Sequence, residues 1–299
     1  MATSVNPKVE GHAAWPSLPL AQWNDTRDTL QRWLQVIGKT RLALSPPVNH
    51  WWHVALYPTA RGLTTSPMPY DGRLLEVELD FIDHGLLVNT SDGVTRAMPL
   101  VPRSVADFYS EYTSLLESLG MRVRIRPVPS EMEDELPFTE DGQHRSYDPD
   151  AASRCWTILS QASRVLQQFR GRFIGKCSPV HLFWGAMDLA VTRFSGRPAP
   201  QHPGGIPNLP DRVTREAYSH EVSSCGFWSG TSPIDYPAFY SYAYAPPAGF
   251  GEGRVRPDAA FFSKDFGEFI LPYDRVRESS EPDAMLLEFL QLEKEKRDE

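Results

Sequence analysis

The stretch Pro47-Val48-Asn49-His50-Trp51-Trp52 has a counterpart in the second half of the chain, Pro179-Val180-His181-Leu182-Phe183-Trp184. Each stretch follows an Ile-Gly-Lys triplet and precedes an arginine, Arg61 in the first half and Arg193 in the second. The same order of motifs in both halves predicts an internal repeat. We expect the two copies to pack against each other, with their sheets joined edge to edge or face to face.

Length and composition are typical of a globular chain. The protein has 299 residues, of which 41% are hydrophobic, enough to bury a substantial core. The formal net charge is −8 and no dense run of Lys and Arg occurs, so we expect no nucleic-acid partner. No apolar stretch is long enough to span a bilayer, and residues 1–14 lack the apolar segment of a secretion signal. The cysteines, Cys155, Cys177 and Cys225, have no CxxC spacing, so we expect a soluble, cytoplasmic protein.

Hydrophobic periodicity predicts a mixture of helices and antiparallel strands. Apolar residues at helical spacing predict helices over residues 25–37, 104–120, 149–172 and 283–296. Gly38 is placed to end the first of these helices. Alternating or apolar runs predict strands over residues 48–56, 74–100, 180–194, 216–228, 238–245, 259–264 and 266–271. We therefore predict an α+β fold in which two pseudo-repeated units of helix, antiparallel strands and helix form one compact body.

One segment of different composition separates the two predicted units. Residues 129–148 are acidic and contain prolines and a glycine, which favours a linker. The first α+β repeat then spans residues 17–128, and the second spans residues 149–296.

No established catalytic motif occurs in the sequence, so the candidates are polar residues within apolar strands. Alternation along residues 216–228 places Glu216, Tyr218 and His220 on one face and Glu221 on the other. A histidine beside a glutamate can act as a general acid or base. His220, Glu216 and Glu221 are therefore the candidate catalytic residues.

The strand predicted over residues 180–194 is almost wholly apolar, yet it holds three ionisable residues. Alternation along an unbroken strand places His181 and Arg193 on one face, and Trp184 and Asp188 on the other. A charge in such a strand is costly unless it is paired. Asp188 and Arg193 therefore belong either to a structural ion-pair system or to a functional site.

The histidines also allow a metal hypothesis. If neighbouring strands bring His181, His220 and Glu216 together, the set of two histidines and one carboxylate suits Zn or non-haem Fe. Glu221 could replace Glu216 in that set. The same histidines can instead be structural groups with satisfied hydrogen bonds, and the sequence leaves these alternatives open.

Two arginines at matching positions predict that the ligand is anionic. Arg61 and Arg193 occupy matching positions in the two halves, and arginine binds carboxylate or phosphate groups with bidentate geometry. Trp184 and Tyr218 are candidates for an aromatic pocket wall. The hypothesis is an enzyme (hydrolase, lyase or isomerase) that acts on a small anionic metabolite between the repeats, by metal-assisted or histidine-based chemistry. The alternative is a non-catalytic small-molecule-binding or assembly protein, and the oligomeric state stays open.

Over its full length the chain resembles a bacterial family of proteins of about this size whose function is unknown. The resemblance is carried by the strings at residues 47–52, 60–65, 103–109, 178–185, 192–197 and 215–221. It implies a single unit rather than two fused proteins, and it implies no reaction and no catalytic roles.

Overall fold

Two antiparallel sheets of six strands each organise the protein in a computed structural model that describes residues 14–230 and 234–291. The first sheet comprises β1 to β6, at Tyr57–Pro58, Gly62–Thr64, Met68–Tyr70, Arg73–Asp80, Gly85–Thr90 and Thr95–Pro99. The second comprises β7 to β12, at His181–Phe183, Asp188–Pro198, His220–Trp228, Ala238–Tyr244, Phe261–Ser263 and Glu268–Pro272. The second sheet has the order β11-β12-β10-β9-β8-β7.

Six α-helices pack around the sheets within the described residues. They are α1 to α6, at Leu20–Leu44, Val105–Ser118, Pro149–Gly171, Asp211–Ala217, Tyr273–Arg277 and Pro282–Gln291. Two agree with the predicted helices and begin at predictable caps, because side-chain oxygens satisfy backbone N–H groups that a helix leaves free. Ser104 Oγ accepts from the backbone N–H of Asp107 at 3.0 Å, and Asp148 Oδ1 accepts from that of Asp150 at 2.9 Å. The last predicted helix agrees up to residue 291, and its remainder lies outside the described residues.

The sequence predicts that the first helix ends at Gly38, and this prediction is wrong. α1 continues to Leu44, and the indole of Trp184 lies directly on Gly38, 2.2 Å from where a Cβ atom would stand. The glycine therefore serves close packing in the middle of the helix.

Three predicted strands differ from the structure. Residues 49–54 form a 3₁₀ helix in which His50 and Trp51 have φ of 58° and 62°, because α1 runs on and the chain must turn before β1. The strand predicted over 180–194 is broken by a turn at residues 184–187 into β7 and β8. The strand predicted over 216–228 begins only at His220, because α4 occupies residues 211–217.

The two sheets meet edge to edge at one isolated pair of residues. The backbone N–H of Leu56 donates to Leu182 O at 2.9 Å, and that of Leu182 donates to Leu56 O at 2.8 Å. We call this joint the seam. Trp184 Nε1 donates across it to Val54 O at 2.8 Å. The main hydrophobic core contains residues from both halves of the chain, so the α+β fold forms one body.

Each half of the chain has a long helix followed by six strands and a further helix, but in the second half α4 interrupts the strands between β8 and β9. The duplication itself and the boundaries 17–128 and 149–296 stay predictions. The predicted linker, residues 129–148, lies along α1. Ser130 exchanges two hydrogen bonds with the Gln35 side chain, at 2.7 and 2.9 Å, and Phe138 and Asp141 are fully buried. Among the described residues, no helix has the length and apolar character needed to cross a membrane.

Candidate functional site

One face of the second sheet is polar. Side chains at alternate positions of paired strands share a face. The reverse face of this sheet is apolar and buried in the main core, through residues such as Leu189, Phe227 and Phe239. The opposite face, which we call the polar face, carries Asp188 and Thr192 of β8, Ser224 of β9, Tyr240 and Tyr242 of β10, and Glu268 of β12. Hydroxyl and carboxyl groups therefore line up across four strands.

The tightest pair on the polar face joins Tyr240 and Asp188, which are separated by strand β9. Tyr240 Oη donates to Asp188 Oδ2 at 2.5 Å. The tyrosine can cross β9 because Gly226 stands between them, where a Cβ atom would lie 2.6 Å from Tyr240 Oη. Burial raises the pKa of Asp188 to about 6, against the lowering effect of this hydrogen bond. Burial and the neighbouring Asp188 charge raise the pKa of Tyr240 well above its ordinary value.

Two further carboxyls lie within electrostatic reach of Asp188. Burial and then the charge of Asp188 raise the pKa of Glu131 to about 7, and the same causes raise that of Glu268 to about 7. All three side chains are only half-buried by exposed area, so they keep access to solvent. We call Asp188, Glu131, Glu268 and Tyr240 the carboxyl cluster.

Glu131 is held in place by contacts that are distant in sequence. Its carboxylate lies against Gly185, where a Cβ atom would stand 2.1 Å from Glu131 Oε1. Its backbone N–H donates to Pro207 O at 3.0 Å, and its φ of 61° lies in the left-handed region. A non-glycine residue is strained there, and such strain is concentrated at functional sites.

A lysine from α1 borders the carboxyl cluster. Lys39 Nζ donates to Ser130 Oγ at 2.7 Å and lies 5.4 Å from the centroid of the Trp184 ring. Burial, followed by the charge of Arg126, lowers the pKa of Lys39 to about 8, while Glu131 acts in the opposite direction. The lysine charge in turn opposes the rise in the pKa of Glu131.

A second group on the polar face contains two histidines. Lys176 Nζ lies 2.8 Å from His50 Nε2, and His50 Nδ1 lies 3.0 Å from the carbonyl oxygen of Ala217. With Nδ1 donating to that carbonyl, Nε2 is left to accept from the lysine. The His220 ring lies 5.9 Å from that of His50. Burial lowers the pKa of His50, so the ring is neutral at physiological pH. We call His50, His220 and Lys176 the histidine cluster.

The predicted partners of His220 lie elsewhere. Glu216 is exposed on α4, where its charge acts on the pKa of His53. Glu221 points to the other side of β9 from His220 and binds Ser195 Oγ at 2.8 Å and Arg197 Nη2 at 2.5 Å. Tyr218, which was predicted as a pocket wall, does lie on this side, with its hydroxyl 2.8 Å from that of Tyr242.

The structure does not assemble the predicted metal ligands into one group. His181 is fully buried, with its ring 6.4 Å from that of Trp52, whereas the His220 ring lies 5.9 Å from that of His50. Within residues 14–230 and 234–291, no three His, Cys, Asp or Glu side chains are arranged to hold a metal ion.

The two arginines predicted to clamp an anion have different surroundings. Arg61 binds Asp80 and Asp83 of the first sheet, each at 2.6 Å. Arg193 lies on the reverse face of the second sheet, with its guanidinium 3.3 Å above the Phe169 ring. Arg193 and Asp188 lie on opposite faces, as alternation predicts, whereas the turn at 184–187 places His181 on the face of Asp188 and not on that of Arg193. Trp184 is buried at the seam, where it packs on Gly38.

Sequence reasoning missed Glu131 and Glu268 as members of a site. It considered Lys39 only as a positive charge for an anionic ligand or as a cation at the end of a helix. Asp188 gave a usable signal, because a carboxylate in an apolar strand needs a reason. The alternation of Tyr240 and Tyr242 gave a second, since it places both hydroxyls on one face.

The family model of the family of unknown function DUF5996 matches residues 15–295. The chain belongs to this family. The match confirms the resemblance seen in the sequence, and because it includes both sheets and the seam, the polar face lies wholly within the DUF5996 region. No curated protein and no solved structure matches the chain.

Proposed function

We propose that this DUF5996 protein is an enzyme that binds a small polar metabolite over the polar face of the second sheet and acts on it by general acid–base chemistry. The carboxyl cluster is the catalytic centre of the proposal. This keeps the enzyme hypothesis drawn from the sequence but moves its centre from His220 to Asp188.

One observation carries the proposal: Glu131 and Glu268 each lie within electrostatic reach of Asp188 in a half-buried setting, and the three carboxyls have pKa values of about 7, 7 and 6. Ordinary carboxyls are fully ionised at neutral pH and exchange protons poorly with substrates. Groups whose pKa lies near the working pH are the most effective acids and bases, and such perturbed groups are concentrated at active sites.

The roles follow from the neighbours of each carboxyl. The hydrogen bond from Tyr240 stabilises the ionised form of Asp188, which makes Asp188 the general base. Glu131 and Glu268, with the higher pKa values, retain protons and supply the general acid. A base that is ionised above about pH 6 and an acid that is protonated below about pH 7 give a rate that is highest between these two values.

The charge of the cluster restricts the substrate. Carboxylates repel an anion, so the reacting end of the substrate is neutral or cationic. An anionic end, as expected from the sequence, fits farther along the polar face at the histidine cluster, where Lys176 supplies a positive charge. Proton transfer between such groups serves hydrolysis, elimination or isomerisation.

Further properties belong to the same proposal. The net charge of −8 and the carboxyl cluster favour a small-molecule ligand over nucleic acid. Cys155 and Cys177 are free thiols, and Cys155 is buried, which fits a reducing cytoplasm.

The test compares wild type with Asp188→Asn and Glu131→Gln. Each purified protein is incubated with a bacterial extract of small metabolites, and the extract is followed by mass spectrometry. We expect at least one metabolite to be consumed by wild type and to be consumed about 10²–10⁴-fold more slowly by either variant. Asp283→Asn is the matched control, because Asp283 forms an exposed ion pair with Arg164 away from the polar face.

Three outcomes separate the functions. Consumption by wild type and by Asp283→Asn alone supports the enzyme. If wild type consumes nothing, or if Asp188→Asn consumes the metabolite at the wild-type rate, the carboxyl cluster is not catalytic. A metabolite that co-purifies with wild type but is never converted indicates the non-catalytic binding protein.

A further inference from the structure

Two buried side chains at the seam have nitrogen atoms without hydrogen-bond partners, although the Arg41 guanidinium also hydrogen-bonds the side chain of Tyr57. Arg41, in the last turn of α1, is 8% exposed, and His181 in β7 is 0% exposed. Within the described residues, Nε and Nη1 of Arg41 and both ring nitrogens of His181 have no hydrogen-bond partner. Buried polar groups are nearly always paired, so unsatisfied groups in one place require an explanation.

The two side chains approach the same tyrosine. The Arg41 guanidinium carbon lies 5.6 Å from the centroid of the Tyr57 ring, and the His181 ring lies 6.2 Å from it. Tyr57 follows Leu56, and His181 precedes Leu182, so both flank the hydrogen-bonded pair that forms the seam. Tyr57 is half-buried, which leaves the group an approach from solvent.

The Arg41 guanidinium supplies a positive charge at this place. Within residues 14–230 and 234–291, Arg41 forms no ion pair with Asp or Glu. Burial and then the charge of Arg41 lower the pKa of His181 to about 3, so the imidazole is neutral and offers one N–H donor. The guanidinium adds the N–H groups of Nε and Nη1, and aromatic rings of Trp52, Tyr57 and Phe183 surround the histidine. Such donors in a poorly solvated setting suit an oxyanion.

We infer that Arg41 and His181, beside Tyr57, form a binding site for a small oxyanion: the carboxylate or phosphate group of a metabolite. The site lies at the seam, and it does not depend on the proposed catalysis at the carboxyl cluster. The two matching motifs of the sequence do not point to this site. Arg41 lies outside them, in a helix, and the arginines that belong to them, Arg61 and Arg193, contact other residues.

A structural alternative explains only part of the geometry. A cation in the last turn of a helix is stabilised by the helix dipole, which accounts for an arginine at position 41. The dipole does not provide acceptors for the buried Nε and Nη1 groups, and it has no bearing on His181.

The experiment titrates the protein with inorganic phosphate and, separately, with sodium acetate, at ionic strength held constant with sodium chloride. The readouts are the melting temperature and the NMR signals of the His181 ring in histidine-labelled protein. We expect at least one of the two anions to raise the melting temperature saturably and to shift the His181 signals with the same apparent Kd. The anion that binds more tightly identifies the carboxylate or the phosphate class.

Variants then locate the bound anion. Arg41→Gln should weaken binding by about tenfold or more, the loss expected for a charge-assisted hydrogen bond. Arg61→Gln, which removes an arginine already paired with Asp80 and Asp83, should leave the Kd unchanged, and so should Asp188→Asn. Binding that survives Arg41→Gln, or that is lost in Lys176→Gln instead, places the anion at the histidine cluster and overturns the inference.

A second measurement keeps the test independent of how Arg41→Gln folds. A bound anion stabilises the imidazolium form, so the pKa of His181 in wild type should rise when phosphate, which stays anionic at low pH, is saturating. A His181 pKa that is the same in chloride and in phosphate overturns the inference.

Discussion

Replacing Asp188 by Asn should make the protein more stable at pH 8, although it removes the proposed catalytic base. The pKa of Asp188 is about 6 in the folded protein, against an ordinary value of 3.8. Each unit of difference between the folded and unfolded chain corresponds to about 1.4 kcal/mol, so ionised Asp188 costs up to about 3 kcal/mol. Asn keeps an acceptor for Tyr240 Oη and carries no charge. Because solvent reaches the half-buried carboxyl, we expect a gain of about 1–3 kcal/mol in the free energy of unfolding.

The sign of the pH dependence follows from the raised pKa. Above about pH 6 the folded wild type bears the full cost of the ionised carboxyl. Between pH 6 and 3.8 that cost decreases, and below 3.8 it is absent because Asp188 is protonated in both states. The advantage of Asp188→Asn should therefore be complete at pH 8 and small at pH 4.

Urea unfolding at pH 8, 6 and 4 measures this difference. Asp283→Asn is the control, because its ion pair with Arg164 lowers the pKa of Asp283 and its loss should not stabilise the protein. The reasoning about the carboxyl cluster is refuted if Asp188→Asn is no more stable than wild type at pH 8. It is also refuted if the gain persists unchanged at pH 4.

Two further predictions concern packing. Gly226→Ala should lower the free energy of unfolding by about 1–3 kcal/mol or more and shift the Tyr240 ring signals in NMR, since the new methyl group overlaps the backbone carbonyl oxygen of Leu189 and the tyrosine hydroxyl. Gly171→Ala, whose methyl group meets open space, should do neither. Arg193→Ala should lower the free energy of unfolding in urea by about 1–3 kcal/mol, because it removes a guanidinium packed on an aromatic ring. Arg61→Ala should lower it by at most about 1 kcal/mol, because Arg61 is exposed and Asp80 keeps its hydrogen bonds from the backbone N–H groups of Ile82 and Asp83. Equal costs for the two arginines would contradict the different surroundings described above.

The sequence predicted the α+β class and the two capped helices because these depend on local patterns. Ser104 and Asp148 satisfy backbone groups within their own helices, so no distant contact is needed to place them. Asp188 could also be found, since a charge in an apolar strand is unusual wherever the strand lies.

The members of the site that are distant in sequence could not be found in this way. Glu131 reaches Asp188 only because Gln35 holds Ser130 and because Gly185 leaves room for its carboxylate. None of these contacts produces a regular pattern of residues along the sequence from which it could be predicted. Alternation also failed where a strand was interrupted, since the turn at 184–187 placed His181 on the face opposite to the expected one.

Gly226 has a consequence for the evolution of this family. Tyr240 can reach Asp188 only across a position without a side chain, which is Gly226. Substitutions at positions 188, 226 and 240 therefore depend on one another. A family member with a larger residue in place of the glycine has no room for the tyrosine hydroxyl, and its carboxylate would need another donor. Among aligned family members the three positions should therefore change together, and their covariation can be read from sequences alone.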